Sequence, residues 1–341
     1  MSEQPDALER RCRALVEALG LGRAEDVGAV RALGGGVASD IVVVDLPGGQ
    51  VCLKFALPRL KVAEEWLAPV HRNAAEYAWL KAAGEIVPGS VPPLHGHCTA
   101  LQGFAMAYLG KPDWRLWKSD LLAGRVDIDA AAAVGHAVGR VHAASTRAGF
   151  DTAPFRNRDD FRALRLEPYL LFCAAVHPAL SSRLHALVDG LYAADTVLVH
   201  GDVSPKNILL HGPVPVVLDA ECATLGDPSF DVAFCLNHLV LKSLHRPGAR
   251  GPLLQSVRAL WHAYRSCITW EPVAALEARV CALLPALMLA RIDGKSPVEY
   301  LDERARDRAR RLSMPMILEP LARLEPLLHR LSDPPPTGDC P

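Results

Sequence analysis

Apolar positions recur at helical spacing near the start of the chain, at Leu8, Cys12, Leu15, Val16 and Leu19, and Gly20 ends the pattern. This predicts an amphipathic leading helix from Pro5 to Leu19. The pattern then shortens to β-rich runs at Val30–Leu33, Asp40–Leu46 and Val51–Phe55, joined by Gly and Pro clusters, which is the pattern of an antiparallel meander. Residues His71–Gly84 return to helical spacing and stop on Gly. Gly103–Leu109 reads as one more strand, and Gly110-Lys111-Pro112 as a linker. "LHGHC" around His95 and His97 reads as a surface loop rather than a metal-binding pair.

Beyond the linker the pattern is mainly helical, with helices expected at Asp127–Ala144, Arg158–Ala174, Ser181–Ala193, Asp231–Leu244, Pro252–Ile268, Pro272–Ile292 and Val298–Arg311. Short strand-like runs interrupt them between Val197 and Asp219. The Pro-rich tail, residues 332–341, is expected to fray. The organisation expected is α+β and two-lobed: a β-rich N-lobe over residues 1–109, and a mainly helical C-lobe over residues 110–341 that carries a small hairpin.

The totals narrow the class without naming a partner. The 341 residues exceed one ordinary core. A formal net charge of −1 gives no global attraction to nucleic acid or to an anionic membrane. The first twenty residues contain no apolar signal region, so a cytoplasmic location is expected. The apolar run Val280–Ala290 is too short to span a bilayer and ends at Arg291, which favours a buried helix. The nine cysteines form no Cys-x-x-Cys pair and sit singly among apolar residues, the pattern of reduced, buried thiols.

Chemistry gathers in three places. Gly34, Gly35 and Gly36, followed by small Ser39, lie between two strands, where bare backbone approaches a ligand and turns its N–H groups towards it. Lys54 stands on the third strand among apolar neighbours, where its burial calls for an anion such as a triphosphate. Glu76 on the next helix is the organiser expected for it, in preference to Glu64 or Glu65. The third place is "LVHGDVSPKNILL", Leu198–Leu210. Asp202, where a strand gives way to a loop, is placed to accept a hydroxyl proton. Lys206 is placed to meet a phosphate oxygen, and Asn207 to offer an amide oxygen to Mg²⁺. Asp219 ends the next apolar run as a metal ligand, with Glu221 two residues on. Asp227 and Asp231 are expected to be structural, Asp231 by capping its helix or holding the catalytic loop. The joint order of Gly-rich hairpin, strand Lys, helix Glu, His-Gly-Asp-x-x-x-x-Asn and strand-end Asp is the parts list of a protein-kinase-like phosphoryl transferase.

On these residues the chain resembles the aminoglycoside phosphotransferase and choline kinase superfamily, small-molecule kinases with a protein-kinase-like fold. "HGDVSPKN" is similar to its catalytic loop and "LDAECATLGDPSFDVA" to its metal-binding segment. Several segments also resemble 5-methylthioribose kinase: the one from Val51 to Leu80, "LWKSDLLAGRV" and "ARIDGKSPVEYL". The resemblance implies ATP and Mg²⁺, with Asp202 as catalytic base and Asp219 and Glu221 as metal ligands. Lys54 and Glu76 would hold the phosphates, and Met106 to Leu109, including Tyr108, would form the hinge facing adenine. Two departures from the sugar kinase stand out: Asn207 where a Ser is usual, and a single Arg291 after Ala290 where that family has adjacent arginines.

After Asp231 Lys and Arg outnumber Asp and Glu, which favours a neutral or anionic acceptor over a polycation. The expected substrate is a small-molecule hydroxyl acceptor, a sugar such as methylthioribose or a related alcohol, met by Arg291. The alternatives are an aminoglycoside- or choline-type phosphotransferase and a nucleotide-binding pseudokinase. A protein kinase is disfavoured, because Gly201 stands where its loop has Arg and no Asp-Phe-Gly segment is present. The resemblance also allows a homodimer.

Overall fold

The computed structural model describes residues 3–34, 39–58, 69–110 and 112–332. Helix α1 (Glu3–Ala18) covers one face of an antiparallel sheet. The sheet is built from β1 (Val30–Ala32), β2 (Ser39–Leu46), β3 (Gly49–Ala56), β4 (Leu94–Cys98) and β5 (Gly103–Ala107), in the order β1-β2-β3-β5-β4. The two-residue period of β3 sorts its side chains. Leu53 and Phe55 pack with Cys12, Leu15 and Val16 of α1. Cys52 and Lys54 face the other way, towards α2 (Arg72–Ile86), whose Trp79, Leu80 and Ala83 pack with Cys52, Phe104 and Met106. The meander and both of its helices agree with the hydrophobic pattern. "LHGHC" does not: it is the edge strand β4 rather than a loop. Strand β4 has an irregular register against β5 near Gly96, and without β-branched residues it carried no strand signal.

The remainder is mainly helical. Strand β6 (Arg115–Leu116) leads into α3 (Trp117–Leu122), then α4 (Ile128–Ser145), which Asp127 caps by accepting from Ala130 N at 3.1 Å. Next come α5 (Arg158–Phe161), a π-type stretch (Arg162–Leu171) and α6 (Phe172–Val176), which run on as one rod. Pro168 lies inside it, and a residue lacking N–H explains the wider turn there. After α7 (Ser181–Ala193) come β7 (Val197–Val199), β8 (Ile208–Leu210), β9 (Val216–Val217) and β10 (Thr224–Gly226). Strand β7 pairs with β10, and β8 lies between β6 and β9.

Helix α8 (Ser229–His245) is buried along its whole length except His245 and forms the axis of the helical core. Helix α9 (Arg250–Arg265) crosses α4 where Gly135 and Gly139 remove the side chains. A Cβ on Gly135 would lie 2.2 Å from Leu260 O. Helix α10 (Val273–Asp293) has the length and hydropathy of a membrane span, yet most of it is buried by the protein, chiefly against α8 and α11 (Glu303–Leu318). Helix α11 starts five residues later than its periodicity predicts, because Asp302 caps it by accepting from Ala305 N at 2.8 Å. The short helices α3 and α12 (Leu324–Ser332) carried no distinct signal. Of the expected tail only Ser332 is described. The eight cysteines among the described residues are free, and six are buried.

Candidate active site

Lys54 is held on the inner face of the sheet by its register opposite Ile41 and Phe104. Its Nζ lies 2.7 Å from Glu76 Oε1 of α2 and also contacts Asp219 Oδ1. Both Lys54 and Glu76 are buried. Burial opposes the ammonium, but Asp219 and Glu76 outweigh it and hold the Lys54 pKa above the usual lysine range. Burial pushes the Glu76 carboxyl up to about 7 despite Lys54 beside it. Burial likewise opposes the Asp219 carboxylate, but Lys54 and Lys206 hold it well below the ordinary range. Asp219 adopts φ +69°, a left-handed conformation that is uncommon outside glycine and that ends the strand run abruptly.

The loop between β7 and β8 places Asp202, Lys206 and Asn207. Its backbone is fixed from below by Asp231 on α8, whose carboxylate accepts from His200 N at 2.6 Å and Gly201 N at 2.8 Å. His142 Nε2 lies 3.2 Å from the same carboxylate. Asp231 therefore holds the loop that carries Asp202. Asp227 accepts from Ser229 N at 2.8 Å and pairs with Arg279, also at 2.8 Å. His200 Nδ1 accepts from Asp202 N at 3.1 Å, so its Nε2 donates to Leu218 O at 3.1 Å. Burial lowers its pKa and keeps the ring neutral in that tautomer. Gly201 takes φ +77°, and a Cβ there would lie 2.7 Å from Cys222 Cβ and 2.8 Å from Cys222 O. Any larger residue, the Arg of protein kinases included, is excluded from that position.

Asp202 is 2% exposed and lies between two cations. Lys206 Nζ and Arg165 Nη2 each stand 3.0 Å from its Oδ2. Burial would raise its pKa, but Lys206 and Arg165 bring it below the usual value, so the group is a carboxylate at neutral pH. Asn207 donates through Nδ2 to Asp202 O at 3.0 Å, which leaves its amide oxygen free of that bond. Lys54, Glu76, Lys206, Asn207 and Asp219 line one pocket of about 640 Å³. The same pocket is walled by Gly34, Met106, Tyr108 and Trp114.

Most of the predicted residues thus converge. Ser39 departs from the expectation: it is buried at the start of β2 opposite Ala56 and is not part of the pocket lining. Gly35 and Gly36, like Glu64 and Glu65, lie outside the described residues. Glu221 has a partner that its sequence position conceals. Its Oε2 accepts from Arg72 Nε at 3.0 Å, and Arg72, fully buried, also donates to Pro69 O and Leu57 O. Arg291 is buried on α10, bonded to Ser296 and to Tyr169. Arg72 and Arg165 are the buried partners of Glu221 and Asp202 that sequence reasoning passed over. The available signal was an arginine between leucines on a helix, Leu164-Arg165-Leu166, where only a buried partner makes such a residue tolerable. Among the described residues, no three His, Cys, Asp or Glu side chains cluster as a metal site. Mg²⁺ is compatible with that, because it takes one or two carboxylates and fills its remaining positions with phosphate oxygens and water.

Residues 29–276 match the model of a family described as the phosphotransferase enzyme family. Comparison with curated proteins finds no match. Among solved structures, a choline/ethanolamine kinase family protein from Mesorhizobium loti is similar with a TM-score of 0.52 and 17% identity, covering 96% of this chain and 98% of that one. The amicoumacin kinase hAmiN, solved with AMP-PNP, Ca²⁺ and Ami, is similar with a TM-score of 0.56 and 13% identity, covering 95% and 98%. A putative fructosamine-3-kinase from Thermobifida fusca gives a TM-score of 0.50 and 21% identity over 87% and 96%. At these identities the likeness concerns the fold.

Proposed function

The chain belongs to the phosphotransferase enzyme family, and on that premise we propose that it is an ATP- and Mg²⁺-dependent kinase of a small-molecule alcohol. The observation that carries this reading is Asp202, a buried carboxylate kept charged by Lys206 and Arg165 beside a pocket lined by Lys54 and Asp219. In the reaction the acceptor oxygen bonds to the γ-phosphorus as the bond from that phosphorus to the β,γ-bridging oxygen breaks. The hydroxyl proton passes to Asp202, and ADP leaves. Lys54 and Lys206 are the cations available to the phosphate oxygens. Asp219 and the Asn207 amide oxygen would hold Mg²⁺, which when bound neutralises phosphate charge. Glu221, engaged by Arg72, is assigned to organising that arginine rather than to the metal.

The finer reading is a sugar-like acceptor, methylthioribose or a related alcohol, supported by the segment resemblance. The test is coupled ADP release with Mg·ATP across methylthioribose, other pentoses, aminoglycosides, choline and small amino alcohols. Turnover on a hydroxyl acceptor is expected, reduced by about 10²-fold or more in Asp202→Asn, the usual scale for losing a general base. ATP binding should survive that change. Full turnover in the variant would sink the assignment of Asp202.

A further inference from the structure

Beyond the catalytic loop, α8 and α10 enclose cations that the transfer step described above leaves unused. Lys242 on α8 is 1% exposed. Among the described residues its Nζ meets no carboxylate and no hydrogen-bond acceptor, and its partner is the face of Tyr300, 4.8 Å away. Arg291 on α10 spends Nη1 on Ser296 Oγ at 2.9 Å, on Ser296 O and on Tyr169 OH at 3.2 Å, while its buried Nε has no partner. The Tyr300 hydroxyl is also buried and unpartnered. Lys118 on α3 lines the pocket and is paired at 2.5 Å to Glu299, the neighbour of Tyr300 in sequence.

These groups repel one another. Burial first, then Lys118 and Arg291, lower the Lys242 pKa to about 7, against a smaller opposing effect of the Cys235 thiol and Glu299. His238, one turn earlier on α8, is driven well down by burial and by the cations Lys242, Arg291, Lys206 and Lys118. A buried, unpaired ammonium beside an arginine with an orphaned N–H is costly, and such polar atoms call for a missing partner. The partner that satisfies two cations and a phenol is an oxyanion.

The cluster adjoins the reaction centre. Lys118 and Lys206 both line the pocket, and Lys206 holds Asp202. Tyr169, bonded to Arg291, stands four residues after Arg165 on the same π-type stretch. Resting on the kinase reading above, we propose that the acceptor alcohol carries a carboxylate or phosphate group seated among Lys242, Arg291 and Tyr300, with its hydroxyl turned to Asp202. Cationic acceptors are excluded by the same charges. A sugar acid or a sugar phosphate fits the site.

The test separates this inference from the kinase reading. Inorganic phosphate and malonate are titrated by calorimetry into the wild-type protein with the nucleotide site filled by Mg·AMP-PNP. One of the two anions should bind, and which one tells phosphate from carboxylate recognition. Affinity should fall at least tenfold in Lys242→Met and in Arg291→Met. In ADP release, glycerate and gluconate, or glucose 6-phosphate, should exceed glycerol and glucose in kcat/KM, and the preference should collapse in Lys242→Met. Absence of anion binding, or equal affinity in wild type and both variants, overturns the inference. Failure of AMP-PNP to bind would instead overturn the kinase reading, and the anion titration without nucleotide would still report on the cluster.

Discussion

Arg165 and Asp202 are joined by an ion pair of 3.0 Å, and the same guanidinium donates through Nε to Gly201 O at 2.6 Å. One side chain of the π-type stretch therefore holds both the carboxylate and the backbone that carries it. Arg165→Met leaves Lys206 as the sole cation on a buried carboxylate. The variant should lose about 10²-fold in kcat, the scale of a misplaced catalytic group. It should also lose about 3 kcal/mol of stability, the scale of breaking a buried pair. ADP release and denaturant unfolding measure the two effects, and an unchanged kcat would remove Arg165 from the positioning machinery.

Asp231 supports the loop from the other side through two backbone N–H groups. Asp231→Ala strands both donors and should destabilise the fold by about 3 kcal/mol, since hydrogen bonds to a charged group contribute about 1.5–3 kcal/mol each. Asp231→Asn keeps an acceptor and should lose less. Equal losses in the two variants would contradict this account.

Gly201 combines φ +77° with a contact that leaves no space for a Cβ. Gly201→Ala should destabilise by about 1–3 kcal/mol through backbone strain and displace Asp202. Thermal unfolding together with ADP release tests this. A variant as stable and active as the wild type would show that the backbone relaxes freely there.

Asp219 and Glu221 lie two residues apart but are assigned different work. Asp219→Asn should raise the Mg²⁺ concentration needed for half-maximal turnover by tenfold or more. Glu221→Gln should leave it within about threefold while lowering stability, because the buried pair between Arg72 and the Glu221 carboxylate is broken. Mg²⁺ titrations of the two variants decide the matter, and a larger shift in Glu221→Gln would return Glu221 to the metal site.

Lys242 makes stability depend on pH. Its pKa falls from 10.5 unfolded to about 7 folded, so between those values the unfolded chain binds the extra proton. The group therefore destabilises fully below pH 7, and its penalty fades as pH rises to 10.5. Lys242→Met should raise Tm by at least about 2 °C at pH 6.5, the scale of 1 kcal/mol in a chain of this size. The gain should be smaller at pH 9. A gain that grows with pH would contradict the burial of an unpaired ammonium.

The order of most elements was legible in the chain itself, and so were Lys54, Glu76, Lys206, Asn207 and Asp219 of the pocket wall, whereas Arg72 and Arg165 were not. Alternation along β3 separates Lys54 from Leu53 and Phe55, and a local loop of six residues from Asp202 to Asn207 carries its chemistry in one stretch. Such signals are local, because backbone period and turn residues act over a few positions. The tertiary structure decided what each charge meets. Glu221 faces Arg72 across 149 positions of sequence, Asp202 faces Arg165, and Lys242 lies over the ring of Tyr300. "LHGHC" became a strand because β5 lay beside it. Gly201 proved obligatory because Cys222 closes over it. Ion pairs and close approaches between distant segments leave no periodic trace, since any helix face can carry a lone arginine. Whether that arginine is solvated or buried against a carboxylate is set by the packing of the whole chain.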